Sequence, residues 1–260
     1  MGHREHRENQ VCSVPTVTAS DTPRCHDRIV ARRSPQLQLD LRPPSRWGGS
    51  RPGAGRKPGL RRRDPHRRRL PLQARHPCHV TLKVRPDLPS LRSVRLVREL
   101  ERSLRAIRDR ERFRLVHYSI QGDHAHLVVE AGSASDLGRG MKAIAARLAR
   151  AANRVFGRSG SVLADRCHVR VLRTPREARN AIAYVLLNAR RHLAKQGKRV
   201  DPRPRIDPAS SGRWFDGWRS VARETPRDPP AVAPPGTWLL SVGWRRVGLI
   251  DPAEIPGLGR

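Results

Sequence analysis

Apolar residues along the middle of this chain follow two alternating periods. From His76, Cys78, Val80, Leu82 and Val84 interleave with His79, Thr81 and Lys83, the period-two pattern of a half-buried strand. After Pro89 and Ser90, Val94, Val97, Leu100, Leu104 and Ile107 recur at three- and four-residue spacing with arginines between them, which predicts an amphipathic helix. Residues 113–120 read as a second strand, Gln121-Gly122-Asp123 as a short turn, and residues 124–130 as a third strand, so the pair should form an antiparallel hairpin. A second helix is expected from about 135 to 155, with Leu137, Met141, Ile144, Leu148 and Ala152 on its buried stripe and a stop at Gly157 to Gly160. Residues 162–172 predict a strand or short hairpin. Thr174, Pro175 and Glu177 then stand at the cap, first and third positions of a capping box. The helix they open carries Ala178, Ile182, Val185, Ala189 and Leu193 inward and runs to about Gln196, before Gly197.

The order strand, helix, strand, strand, helix, strand, helix around a hairpin predicts an α+β, ferredoxin-like sandwich. Its antiparallel sheet should have helices on one face and the other face open to ligand. The pattern lapses on either side, which divides the chain into residues 1–75, 76–200 and 201–260. Residues 1–75 alternate Arg, Pro, Gly and Ser with hardly any apolar periodicity, a composition expected to give a disordered basic arm. Its runs Arg61 to Arg63 and Arg67 to Arg69 would follow phosphates or place arginines in a minor groove. Residues 201–260 read as a Pro- and Arg-rich appendage with scattered tryptophans, of which 238–250 is apolar enough to dock on the core or form a small subdomain.

A formal net charge of +31 sets up a long-range field that attracts polyanions, so nucleic acid is the default partner. A basic membrane-surface protein would need a broad apolar helix face or a lipidation signal, and the sequence offers neither. No stretch approaches the roughly 18 apolar residues of a membrane span, and no signal-peptide core is present, so no membrane partner and a cytoplasmic, nucleoid-associated location are expected. Cys12, Cys25, Cys78 and Cys167 form no CxxC pair and read as reduced thiols.

Two features carry chemistry. His124 and His126 are two apart on a predicted strand, which puts both imidazoles on one face with Cα atoms roughly 6 to 7 Å apart. Two such rings can converge on one metal, while Ala125, Leu127 and Val129 take the opposite, packing face. Tyr184 and Asn188 lie four apart on the last helix, one turn from each other and off the core stripe. Alone, the HxH pair also reads as a structural pair, and the tyrosine as a packed ring with a satisfied hydroxyl. The other tyrosine, Tyr118, sits on a strand where its ring can pack.

Together these residues resemble the single-tyrosine HUH transposases, and especially the REP-associated tyrosine transposases. The similarity spans about His76 to Leu193. The family's hairpin strand reads hydrophobic-x-x-N-H-x-H-L; here it is Ile120-Gln121-Gly122-Asp123-His124-Ala125-His126-Leu127, with aspartate in place of asparagine. The family's nucleophile helix carries Tyr followed four residues later by Asn or Gln, matched by Tyr184-Val185-Leu186-Leu187-Asn188, although Ala189-Arg190 departs from the commoner proline-containing form. Asp165-Arg166 also resembles a family segment.

The resemblance implies a metal-dependent endonuclease and strand transferase acting on single-stranded DNA, with hairpin-forming repeats as its substrate. Tyr184 would be the nucleophile, and His124, His126 and Asn188 would be ligands of Mg²⁺ or Mn²⁺. Imidazole nitrogens and one amide oxygen leave open positions on a hard cation that polarises the scissile phosphate. Related insertion-sequence enzymes act as dimers, so a homodimer is one expectation. Two alternatives stay open: a noncatalytic basic nucleic-acid-binding protein of the same fold, and a replication-initiator or relaxase relative. The latter usually carries two tyrosines on its helix, and this helix has one.

Overall fold

A computed structural model describes residues 71–110, 112–201, 203, 205–220, 226 and 228–257. The predicted basic arm lies outside the described residues except for 71–75. Among the described residues, five strands and five α-helices run in the order β1 (Cys78–Lys83), α1 (Val94–Arg105), β2 (Asp109–Arg110), β3 (Phe113–Ile120), β4 (His124–Ala131), α2 (Ala134–Val155), β5 (His168–Val171), α3 (Pro175–Leu186), α4 (Asn188–Lys195) and α5 (Trp238–Ser241). The sheet order is β2-β3-β4-β1-β5, with every neighbouring pair antiparallel. Leaving aside the two-residue β2, this is the β-α-β-β-α-β arrangement of the ferredoxin-like sandwich. The expected α+β class is the observed one.

Strand parity sorts the side chains into two cores. Cys78, Val80 and Leu82 of β1 and Ala125, Leu127 and Val129 of β4 face α1 and α2, where they pack with Leu96, Leu100, Leu104, Ile144 and Leu148. Ser93 caps α1 by accepting from Leu96 N, and Ser133 caps α2 by accepting from Asp136 N, as N-cap serines do. On β3 a register shift between Leu115 and His117 inserts one residue. That bulge flips the parity, so Leu115 and Tyr118 both reach the α1/α2 core while Val116 points the other way.

The second face of the sheet, expected to be open to ligand, is largely covered. Val116 and Val128 on that face pack against Ala178, Ile182, Val185 and Leu186 of α3, and against Phe215, Leu239, Leu240 and Trp244 from the C-terminal part. Apolar strand residues on both faces need cover on both faces. Half-buried His124, at the end of that face where β4 begins, lies outside this apolar cover.

The C-terminal part is integral to this layer. The 3₁₀ turn Ser211–Trp214, the short helix α5 and the 3₁₀ turn Gly243–Val247 bring Phe215 and Trp244 inward, and Trp244 is only 1% exposed. Ile120 N donates to Ala209 O and Ala233 N to Leu115 O, both at 2.8 Å. Beyond the short β2, the edge of β3 is thus paired by chain from the C-terminal part, which protects it against association with other strands. The buried Glu130 carboxylate accepts from Gly236 N, Thr237 N and Thr237 Oγ1 at 2.7 to 2.8 Å and holds the start of α5 on β4.

Candidate active site

β4 presents His124, His126, Val128 and Glu130 to the α3 side, and β1 presents His79 and Thr81 beside them. The register pairs Thr81 with His126 and His79 with Val128, so His79 is the diagonal neighbour of His126. His126 Nδ1 lies 3.1 Å from Thr81 Oγ1 and 3.2 Å from His79 Nε2. Its Nε2 lies 3.0 Å from His124 Nε2. His124 Nδ1 lies 2.6 Å from the Asp123 carboxylate. Each imidazole of the pair is therefore held through Nδ1 and turns Nε2 toward the same point, the way an outer carboxylate or hydroxyl fixes ring orientation at metal sites. Asp123, the residue that departs from the resembled motif, takes up this orienting contact.

Tyr184 packs beside His126 from α3. Its ring packs edge-on against His126 at 5.0 Å between centroids and against His79 at 5.6 Å. The Arg191 guanidinium lies 5.3 Å from the centre of the Tyr184 ring. His192, on α4, brings its ring to 5.5 Å from that of His124. The capping box predicted at Thr174 and Glu177 is present and fixes where α3 starts.

The helix expected from 175 to 196 is interrupted. α3 ends at Leu186 and α4 begins at Asn188, with Leu187 (φ −105°, ψ 15°) between them. Leu186, Leu187 and Asn188 are all buried, whereas Leu193, assigned inward by the periodicity, is 40% exposed. Asn188 follows Tyr184 by four residues and precedes His192 by four. It is 0% exposed, and neither Oδ1 nor Nδ2 has a hydrogen-bond partner.

Burial works against positive charge on three of the imidazoles, His126, His79 and His192. Burial, reinforced by His124, His79 and His192, pushes His126 down to about 2. Burial, then Arg170 and His168, pushes His79 down to about 4. His192 is lowered by burial and by His124, while its hydrogen bond to His124 holds the Asp123 carboxyl below the usual range. Neutral imidazoles keep their lone pairs for a cation.

No family model and no curated protein matches this chain. Among solved structures, one described as a REP-associated tyrosine transposase bound to a REP hairpin matches at 16% identity, covering 57% of this chain and 82% of that one, with a TM-score of 0.41. That is a distant structural similarity, and the chemistry of this chain must come from its own residues.

Among the described residues, no group of three or more His, Cys, Asp and Glu side chains is placed to hold a metal ion. The imidazole pair His124 and His126, with Nε2 atoms 3.0 Å apart, and the buried, unpartnered amide of Asn188, a residue type outside those four, are donor types that divalent ions accept. A buried amide oxygen with no partner costs free energy unless something binds it.

Sequence reasoning missed His79, Thr81 and His192. Four-residue spacing from Tyr184 through Asn188 to His192 was a usable signal for the last. The other two needed the pairing of β1 with β4.

Proposed function

We propose that this protein is a metal-dependent nuclease and strand transferase for single-stranded DNA, with Tyr184 as its nucleophile and hairpin-forming repeats as its substrates. The observation that supports it most is the packing of the Tyr184 ring on His126, whose Nε2 meets that of His124 at 3.0 Å. The chain has two tyrosines, and Tyr118 is unsuited. Its hydroxyl donates to buried Glu101 at 2.5 Å, and burial followed by the Glu101 charge pushes its pKa upward.

A Mg²⁺ or Mn²⁺ ion held by His124, His126 and Asn188 would supply Lewis-acid polarisation of the scissile phosphate. Tyr184 Oη attacks phosphorus and gives up its proton to solvent. The bond between phosphorus and O3′ breaks, and the departing oxygen takes a proton to become a 3′-OH. The product is a 5′-phosphotyrosine ester. Because that ester conserves the bond energy of the phosphodiester, attack by another 3′-OH rejoins strands without a nucleotide cofactor. Asp123, Thr81 and His79 keep both imidazoles in register throughout.

The test is incubation of the full chain with a 5′-tailed single-stranded hairpin oligonucleotide and Mn²⁺ or Mg²⁺, followed by denaturing electrophoresis. The expected result is a covalent adduct that EDTA prevents and that is lost in Tyr184→Phe and in the His124→Ala/His126→Ala double variant. If the wild type forms no adduct and binds DNA as tightly as Tyr184→Phe does, the protein is a binding module.

A further inference from the structure

Four arginines stand on α3 and α4. Arg176 is exposed. Arg179 donates to both carboxylate oxygens of Glu254, at 2.7 and 2.8 Å, and Arg190 donates to the carbonyls of Asp201, Arg203 and Ala253. Arg191 differs from all three. It is half-buried, and among the described residues it makes one hydrogen bond, from Nη1 to Pro256 O, and meets no carboxylate. A guanidinium carries five N–H donors, so most of this fork is open to another acceptor. A cation partly removed from water without a counter-charge is costly unless an anion binds it.

Two contacts fix where the fork sits. The guanidinium carbon lies 5.3 Å from the centre of the Tyr184 ring, inside the range of a cation–π contact. On its other side the backbone at Pro256 and Gly257 closes on Nη1, so tightly that a Cβ on Gly257 would come within 2.5 Å of it. That backbone is held against α3 and α4 by the Arg179 and Glu254 pair and by the bond from Arg190 to Ala253 O. Arg191 also follows the buried Asn188 by three residues, so the two share a side of α4. The one guanidinium on these helices with donors to give is therefore set beside the phenol.

We propose that Arg191 is the phosphate-binding residue of this site, donating two hydrogen bonds to the nonbridging oxygens of the phosphodiester that Tyr184 attacks. The inference rests on the nicking reaction proposed above. As the bond from Tyr184 Oη to phosphorus forms and the bond to O3′ breaks, negative charge builds on those oxygens, and donors already in place stabilise it without reorganising. Arg191 exchanges no proton, because a guanidinium stays charged. Its planar fork matches two phosphoryl oxygens at once, which the ammonium of a lysine does not.

The rival role is that Arg191 only anchors the backbone at Pro256. The experiment measures single-turnover adduct formation in Mn²⁺ by the full chain and by Arg191→Gln, Arg191→Lys and Arg179→Gln. The single-stranded substrate carries, at the phosphate mapped from the wild-type adduct, either oxygen alone or sulfur in place of one or the other nonbridging oxygen. Arg191→Gln should form the adduct about 10²–10³-fold more slowly, as loss of a transition-state donor does, and Arg191→Lys should not recover the rate. Sulfur at one of the two positions should slow the wild type and make no further difference in Arg191→Gln, a signature that loosened packing does not produce. The rise in melting midpoint on adding Mn²⁺ should match that of the wild type, which shows the fold and metal site intact. Arg179→Gln, which releases the same backbone from Glu254, should keep the wild-type rate. Wild-type speed in Arg191→Gln, an equal loss in Arg179→Gln, or sulfur effects that are absent or persist unchanged in Arg191→Gln overturn the proposal. A wild type that forms no adduct refutes the nicking reaction and this role together, whereas an adduct formed equally fast without the guanidinium refutes this role alone.

Discussion

Replacing Asn188 with leucine should make the metal-free protein more stable and the metal-loaded protein comparatively less so. Asn188 is fully buried, and both polar atoms of its amide lack partners. A buried amide without hydrogen bonds costs about 1–3 kcal/mol on protein mutational scales. Leucine has a similar shape and nothing to satisfy, so Asn188→Leu should gain roughly that amount in EDTA. For a unit of this size, each kcal/mol moves the midpoint by about 2–4 °C.

Manganese reverses the comparison. At a hundredfold excess over its dissociation constant, a ligand that binds only the folded state adds about 2.7 kcal/mol. The wild type should gain it, and the variant, with one of three donors gone, should gain little. Thermal melts at one protein concentration, in EDTA and across a Mn²⁺ series without DNA, read both effects. A variant that melts below the wild type in EDTA would show that the amide contributes to packing rather than waiting for a ligand. A variant whose midpoint climbs with Mn²⁺ as far as the wild type's would remove Asn188 from the donor set. Functional sites commonly hold groups whose removal stabilises the fold, and the orphaned amide marks where that trade should appear here.

Two further outcomes test the packing around the site. Burial pushes His117 down to about 4, below an unfolded value near 6.5, so its share of stability is intact above about pH 6.5 and falls by about 1.4 kcal/mol per pH unit as pH drops toward 4. Urea melts of His117→Gln from pH 7 to 4.5 should show a pH slope flatter by about one proton; an unchanged slope would mean that the ring is hydrated or paired. Glu130→Gln leaves the shape but loses charge-assisted acceptance from Gly236 and Thr237, so it should cost about 2–3 kcal/mol, and a loss below about 0.5 kcal/mol in equilibrium unfolding would contradict the role given to this contact in docking α5.

The elements were legible where local pattern sets local structure. β3 occupies the expected residues 113–120, β4 starts at His124, and α3 opens on Thr174, because alternation and caps act within a few residues. The break at Leu187 was not legible, since Ala178, Ile182, Val185, Ala189 and Leu193 keep a helical period straight through it. Burial of Leu186 and Leu187 goes with a layer that includes Leu239, Leu240 and Trp244, supplied from some fifty residues downstream, and no window of sequence contains that information. The same long-range layer covers the face expected to be open. His79 was hidden for a related reason: a strand pattern says which residues share a face, but the neighbour of that face is decided by sheet order, which puts β1 between β4 and β5.

The two tyrosines show why parity governs chemistry in this fold. Tyr118 lies on β3 just past the bulge, and the added residue turns it toward α1, where Glu101 accepts a hydrogen bond from its hydroxyl and Arg213 in turn donates to Glu101 at 2.6 Å. Without the bulge its side chain would fall on the α3 side of the sheet. Tyr184 owes its position to a capping box that sets the phase of α3, so that the same turn of helix that sends Ile182 and Val185 into the core leaves the ring against His126 and His79. A phenol pinned to a buried carboxylate is harder to ionise, whereas the Tyr184 ring packs edge-on against two imidazoles. Residue type is identical in the two places. The difference is one inserted residue in a strand and one well-formed cap on a helix, and both are local features that a long-range site depends on.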